Sequence, residues 1–240
     1  MPARAQLSDA ARMRDELIAV HTIMRRGADL VAAALNRLAS GSPTDVGAQI
    51  ATARWLVEFV HHHHTSEDEL FWPVLREAFP HQAAVLDALT EEHQELDDAL
   101  GALSEALDDL AAAQALTGED RTAAAVGLAV IKALPPAEKI RSSLAAHLDA
   151  EEPVLEEMFP KVSPEELRRL RAAVIDGAPR SGPDLVLGLL EYPDRADGYA
   201  AMTADLPAPI RLLRPLLLAR FRARTRKLGT RQADDTRIRS

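Results

Sequence analysis

Residues 60–75 read VHHHHTSEDELFWPVL. Four consecutive histidines run into three acids inside a stretch whose apolar residues keep helical spacing. His63 and Glu67 stand four apart, so on a helix they share one face, one turn from each other. Leu56, Val60, Leu70 and Val74 continue that face. An imidazole and a carboxylate thus point into apolar surroundings, where a charge is costly unless it is paired or coordinated. A metal ion removes that cost, because imidazole and carboxylate are ordinary ligands.

Successive residues of a helix are about 100° apart, which separates the four histidines. His61 shares a face with Arg54, Glu58, Thr65 and Asp68, a polar face. His62 lies with Trp55, Phe59, Ser66 and Glu69, a mixed one. His63 is at the centre of the apolar stripe, and His64 is at its edge with Val57, Val60 and Phe71. The angles make His63 the first candidate ligand and His64 the second, with His61 and His62 facing solvent or the surround of the site.

The neighbouring segments have the same construction. Residues 8–39 form a helix whose stripe is Leu17, His21, Met24, Ala28, Val31, Leu35 and Leu38, with His21 its one titratable member. The second helix spans 44–78, and Pro73 should bend or loosen it near its end. The third spans 82–116 with a seam of Leu86, Leu89, His93, Leu96, Leu100, Leu103, Leu107 and Leu110. Thr117-Gly118 marks a break. A helical stretch over 121–134 then meets Pro135-Pro136, which should end or kink it, and the fourth helix runs over 136–158. Its stripe is Ile140, Leu144, His147, Glu151, Val154 and Met158, so His147 and Glu151 repeat the spacing of His63 and Glu67. Pro153 should distort the turn after those two. Four helices each put a histidine on the apolar stripe, and two add a carboxylate one turn later. Ordinary core histidines would each need a hydrogen-bond partner, and leucines flank these. The pattern implies a metal centre inside an up-down four-helix bundle. Two carboxylates on facing helices suit two ions, and oxygen-plus-nitrogen ligation suits iron, with manganese or zinc possible. A ferritin-like site needs two Glu-x-x-His motifs; only Glu58–His61 has that form.

Composition sets the outer limits. The 240 residues are 47% hydrophobic and 4% aromatic, which suits helix packed on helix. No cysteine is present, so disulfides, thiolate sites and cysteine nucleophiles are excluded. The first residues lack the apolar core of a signal peptide, and no apolar run reaches the roughly 20 residues of a membrane span; a cytoplasmic protein with no membrane partner is expected. Of the net charge of −9, residues 209–240 hold ten Arg or Lys against Asp234 and Asp235, a net of +8, which leaves −17 on residues 1–208. A basic tail on an acidic body suggests self-docking more than nucleic acid or anionic lipid. Beyond Pro160, Ser163-x-x-Glu166 reads as a capping box opening a helix to residue 175. Residues 177–183 read as a linker, 185–191 as a short helix and 209–228 as a basic helix; the last dozen residues read as disordered. The divisions expected are 1–160 for the bundle, 161–228 for a helical extension that packs on it or mediates association, and 229–240 for the tail.

The ordered set resembles the hemerythrin-like family, also called HHE cation-binding domains: a first-helix His21, a second-helix His63-x3-Glu67 leading into LFWP, a third-helix His93, and a fourth-helix His147-x3-Glu151-Glu152. The resemblance covers roughly residues 10–160 and implies a hemerythrin-like all-α bundle. It implies His21, His63, His93 and His147 as terminal ligands and Glu67 and Glu151 as bridging carboxylates of two irons. Oxygen-carrying members have a second third-helix histidine four residues after the first. Asp97 stands there in this chain, which speaks against reversible oxygen transport. Some relatives take a ligand next to the second-helix histidine, the place of His64, so a set of five histidines and two glutamates is implied. The family's chemistry implies dioxygen, peroxide or nitric oxide as the small ligand, in a monomer or homodimer. The alternatives are a di-iron oxygenase of an organic substrate and a regulatory module that reports iron or oxygen through its C-terminal segment.

Overall fold

The computed structural model describes residues 8–116, 119–177 and 181–230. Helix α1 is Asp9–Ala39, α2 Val46–Ser66, α3 Trp72–Ala78, α4 Ala83–Gln114 and α5 Glu119–Met158. Helices α6 (Pro164–Gly177), α7 (Pro183–Glu191), α8 (Tyr199–Ala204) and α9 (Ala208–Lys227) follow. No strand occurs among the described residues, and none of their helices is long and apolar enough to cross a membrane.

Side chains start the first two bundle helices. The Ser8 hydroxyl accepts the Ala11 N–H at 3.2 Å, and the Asp45 carboxylate accepts the Ala48 N–H at 2.8 Å. Each satisfies one of the donors left over in a first turn and contributes about 1 kcal/mol. Contacts run from α1 to α2, α2 to α4, α4 to α5 and α5 back to α1, a closed ring of four long helices joined in chain order. The apolar stripes meet inside that ring: Met24, Val31 and Leu35 of α1, Leu56 and Val60 of α2, Leu96, Leu103 and Leu107 of α4, and Ile140 and Leu144 of α5 share one core. A second cluster, with Trp72, Leu75, Leu86, Leu155 and Phe159, closes one end.

Four prolines fall in the bundle helices. Pro73 is preceded by a π-helical turn, Glu67–Phe71, in which the Trp72 N–H reaches back to the Glu67 carbonyl. The wider turn takes up the disturbance that a proline, lacking a donor, makes in the α-helical ladder. Pro135-Pro136 neither ends nor divides its helix, because α5 is one helix from Glu119 to Met158. The carbonyls that these two prolines leave without donors belong to Ile131 and Lys132, both exposed, so water can take the missing bonds. Pro153 is likewise exposed and lies within α5. The Ser163 hydroxyl accepts the Glu166 N–H at 3.2 Å, but the Glu166 carboxylate pairs with Arg169, so only half of the capping box forms.

The later helices close over α1. Arg26 donates from Nη1 to the carbonyls of Leu189, Tyr192 and Asp194, which gathers the C-terminal end of α7 onto α1. Leu185, Leu189, Leu190 and Phe221 enter the bundle's core cluster. Helix α9 packs along α7, and a Cβ on Gly188 would lie 2.1 Å from Phe221 Cγ, so the helices touch there through the missing side chain. Arg214 pairs with Glu191, Arg224 with the buried Asp184, and Lys227 with Asp45. Helix α8 was not expected: six residues opened by Gly198 at φ 73° carry too short an apolar pattern to register. The break at Thr117-Gly118, the middle of the 177–183 linker and residues 231–240 of the tail lie outside the described residues.

Candidate metal centre

Each long helix delivers imidazole or carboxylate to the bundle interior. His21 comes from α1, His63 and His64 from α2, Glu67 from the first residue of the π turn, His93 from α4, and His147 and Glu151 from α5. They fall into two groups in which one donor atom per residue lies within 4.8 Å of the others: His64, His93 and His147, and His21, His63, Glu67 and Glu151. His64 and His93 stack with ring centroids 4.3 Å apart, and the Trp72 indole lies parallel beyond His93 at 6.1 Å.

The carboxylates lie between the groups. Glu67 Oε1 is 3.1 Å from His63 Nε2, and its Oε2 is 3.5 Å from His93 Nε2. Glu151 Oε2 is 3.6 Å from His21 Nε2 and 3.5 Å from His147 Nε2. Close as these atoms are, His21 Nε2, His63 Nε2, both nitrogens of His64 and all four oxygens of Glu67 and Glu151 have no hydrogen-bond partner. Buried polar atoms are nearly always satisfied. A cluster of them with their lone pairs directed at common points is the arrangement that cations satisfy. The residues therefore fit a pair of metal ions.

The outer ring nitrogens have carboxylate partners. His21 Nδ1 is 3.0 Å from Glu152 Oε1, His93 Nδ1 3.1 Å from Asp68 Oδ1, and His147 Nδ1 2.8 Å from Glu92 Oε2. A carboxylate that accepts from Nδ1–H fixes the tautomer, leaves Nε2 as the inward donor and raises its basicity. Arg25 holds Glu152 in place from behind at 2.6 Å. Sequence reasoning missed Asp68, Glu92 and Glu152 in this role. Each is the immediate neighbour of a candidate ligand, and all three serve a histidine on another helix, a relationship that spacing along one helix does not show.

Burial dominates the titration behaviour. It pushes the Glu67 carboxyl well above the usual carboxylate range, and the facing Glu151 adds to the effect. Burial works against Glu151 as well, but the imidazoles of His21, His147 and His63 prevail and hold it below that range. His93 is lowered to about 4, by burial and then by the neighbouring His64 and His147 rings. His63 and His64 are lowered, chiefly by burial. His147 is raised: Glu151 and Glu92 outweigh its burial.

The ranking of the tract by angle needs one correction. His63 was set at the stripe's centre and His64 at its edge, yet the His64 side chain is 1% exposed and that of His63 is 10% exposed. Helix α2 contacts α1 on one side and α4 on the other, so two adjacent positions both face inward. His63 meets His21 at 5.1 Å between centroids, while His64 meets His93. His61 is 63% exposed and lies 3.3 Å from Asp97, whose carboxylate is 3.8 Å from His64 Nδ1. Neither Asp97 nor His62 belongs to either donor group. Asp97 sits outside His64, and the His64 and His61 rings hold its carboxyl below the usual range. His62 lies beside Ser66, whose hydroxyl is 3.5 Å from its Nε2. His81 is in the turn between α3 and α4.

No curated protein and no solved structure matches the chain. The family model described as hemerythrin HHE cation binding domain matches residues 12–162, the span that contributes every residue of the two donor groups and their carboxylate partners, and the chain belongs to that family.

Proposed function

We propose that His21, His63, His64, Glu67, His93, His147 and Glu151 hold two iron ions, and that the centre binds, senses or reduces dioxygen, peroxide or nitric oxide. The observation that carries this reading is the placement of Glu67, with one oxygen toward His63 and the other toward His93, so that one carboxylate serves both donor groups. A pair of irons, when bound, supplies electrons and Lewis acidity to a small oxidant. The chain supplies everything else. Five imidazoles and two carboxylates give nitrogen and oxygen donors suited to iron, and their summed charge of −2 offsets part of the charge of two divalent ions. Asp68, Glu92 and Glu152 hold the rings of His93, His147 and His21 with Nε2 inward. The leucine seams on either side exclude water and keep the donors in a low-dielectric setting, where electrostatic interactions are strong.

Burial favours a small ligand over an organic substrate. Six of the seven side chains are at most 2% exposed, so a larger molecule reaches them only if the helices part. The test is ultraviolet-visible spectroscopy of iron-loaded protein, anaerobic and then exposed in turn to dioxygen, peroxide and nitric oxide. New charge-transfer bands with one or more of these ligands are expected. Spectra unchanged by all three would contradict the reading.

A further inference from the structure

Helix α9 is apolar on two opposite sides. Its inner side, Leu217, Leu218 and Phe221, with Leu228 just past its end, is buried on α7 and the core. Its outer side holds Leu212, Pro215, Leu216 and Ala219, all exposed at spacings of three and four, which line up on one helical face. Leu212 is 85% exposed, Leu216 56% and Leu213, just beside them, 47%. A surface helix of a folded protein ordinarily turns polar residues outward, so an apolar ridge of this kind marks an interaction surface.

The flanks say what covers it. At about 100° per residue, Arg211 and Arg222 border the ridge on one side and Arg220 and Lys227 on the other, with Arg226 beyond its C-terminal end; all five are exposed. The helix contains no Asp or Glu. Arg214, Arg224 and Lys227 meet acids of the body, whereas Arg211, Arg220 and Arg226 have no ion pair among the described residues. A second copy docked through the same ridge would bring two arginine rims together, and like charges in close apposition oppose association. An anionic bilayer surface meets both demands: leucines enter the boundary between headgroups and acyl chains while arginines contact the phosphates.

We propose that the outer face of α9 is a docking surface for an anionic lipid bilayer, which seats the protein on the membrane surface without crossing it. From the sequence, anionic lipid ranks below self-docking and no membrane partner is expected; the basic residues and the leucines of 209–228 are interleaved, and only the packing of α9 shows which leucines remain outside. The inference is independent of the metal chemistry, since none of its residues belongs to the donor groups.

Flotation of the full chain tests it, with vesicles of phosphatidylcholine and phosphatidylglycerol in equal parts and vesicles of phosphatidylcholine alone. The protein should float with the first and not the second, and added salt should weaken the binding. Leu212→Glu with Leu216→Glu should reduce the bound fraction by at least ~10-fold, and Arg211→Ala with Arg220→Ala by ~10-fold or more. These side chains are exposed, so helicity and metal content should stay those of the parent. No flotation with the mixed vesicles would overturn the proposal, as would flotation of the leucine variant at the parent level. Dimerisation abolished by the leucine variant, without flotation of the parent, would overturn it in favour of a second copy. Binding of RNA or an acidic peptide without flotation would equally overturn it.

Discussion

His93 Nε2 and His147 Nε2 stand 3.1 Å apart across the bundle, while the other nitrogen of each ring is committed to a carboxylate, Asp68 for His93 and Glu92 for His147. With Nδ1–H donated outward, both inner nitrogens are lone-pair acceptors facing each other. Two such nitrogens bound at a right angle to one ion at about 2.1 Å lie about 3.0 Å apart. The pair is thus spaced as two ligands of one cation.

That geometry assigns a role to the outer carboxylates. Glu92→Ala and Asp68→Ala should each weaken metal binding by ~10- to 100-fold, since ligand orientation and basicity both suffer. Competition with a chromophoric chelator measures this. Full stoichiometry should return at high metal concentration, because no ligand has been removed. Affinity equal to the parent's would show that the carboxylates do not act on the rings.

The histidines should separate sharply. His21→Ala, His63→Ala, His64→Ala, His93→Ala and His147→Ala should each lose metal, because each contributes an inward nitrogen to a donor group. His61→Ala should retain it, because His61 is exposed and meets only Asp97. Similar modest losses for every member of the 61–64 tract, with none for His21, His93 or His147, would mean that the tract is a surface chelator instead.

Acid release of metal should be broad. Ligands bind metal only when deprotonated. His147, raised by Glu151 and Glu92 against its burial, takes a proton at a higher pH than an ordinary imidazole. His93 sits at about 4 instead of 6.5, held there by burial and by His64 and His147. A depressed value means that between 6.5 and about 4 the unfolded chain binds a proton at His93 and the folded chain does not. The stability from neutral His93 is therefore complete above 6.5 and is lost as pH falls toward about 4. Metal content followed against pH should begin to fall above 6.5, where His147 takes its proton, and continue to fall toward about 4. One steep step centred at 6.5, as for solvent-exposed imidazoles, would count against the buried centre.

The contact between α7 and α9 gives a stability test away from the metal. Gly188→Ala places a methyl 2.1 Å from Phe221 Cγ, and overpacking of this kind costs about 1–3 kcal/mol. Urea denaturation should show the loss, and metal affinity measured under native conditions should not change. Parent-like stability would mean that α9 does not rest on α7 as described.

Periodicity made much of this legible. The stripes of 8–39, 82–116 and 136–158 carried the bundle and the inward direction of His21, His93 and His147, since a 3.6-residue period reports one buried face directly. It could not report what happens between helices. His64 lies deeper than His63 because α2 has a neighbour on each side, and Asp68, Glu92 and Glu152 all act across the bundle. The proline at 73 was visible, but its π turn was not. Pro135-Pro136 argued for a break that solvent exposure makes unnecessary. The outer leucines of α9 could not be told from its inner ones until its partner α7 was in place.

The central claim is a pair of ions sharing Glu67 and Glu151. Metal analysis with X-ray absorption on iron-reconstituted protein tests it most directly. Two irons per chain with an iron–iron vector of about 3.5 Å are expected, and Glu67→Ala should lose both together. One iron per chain with no such vector, or loss of a single ion in the Glu67 variant, would contradict it.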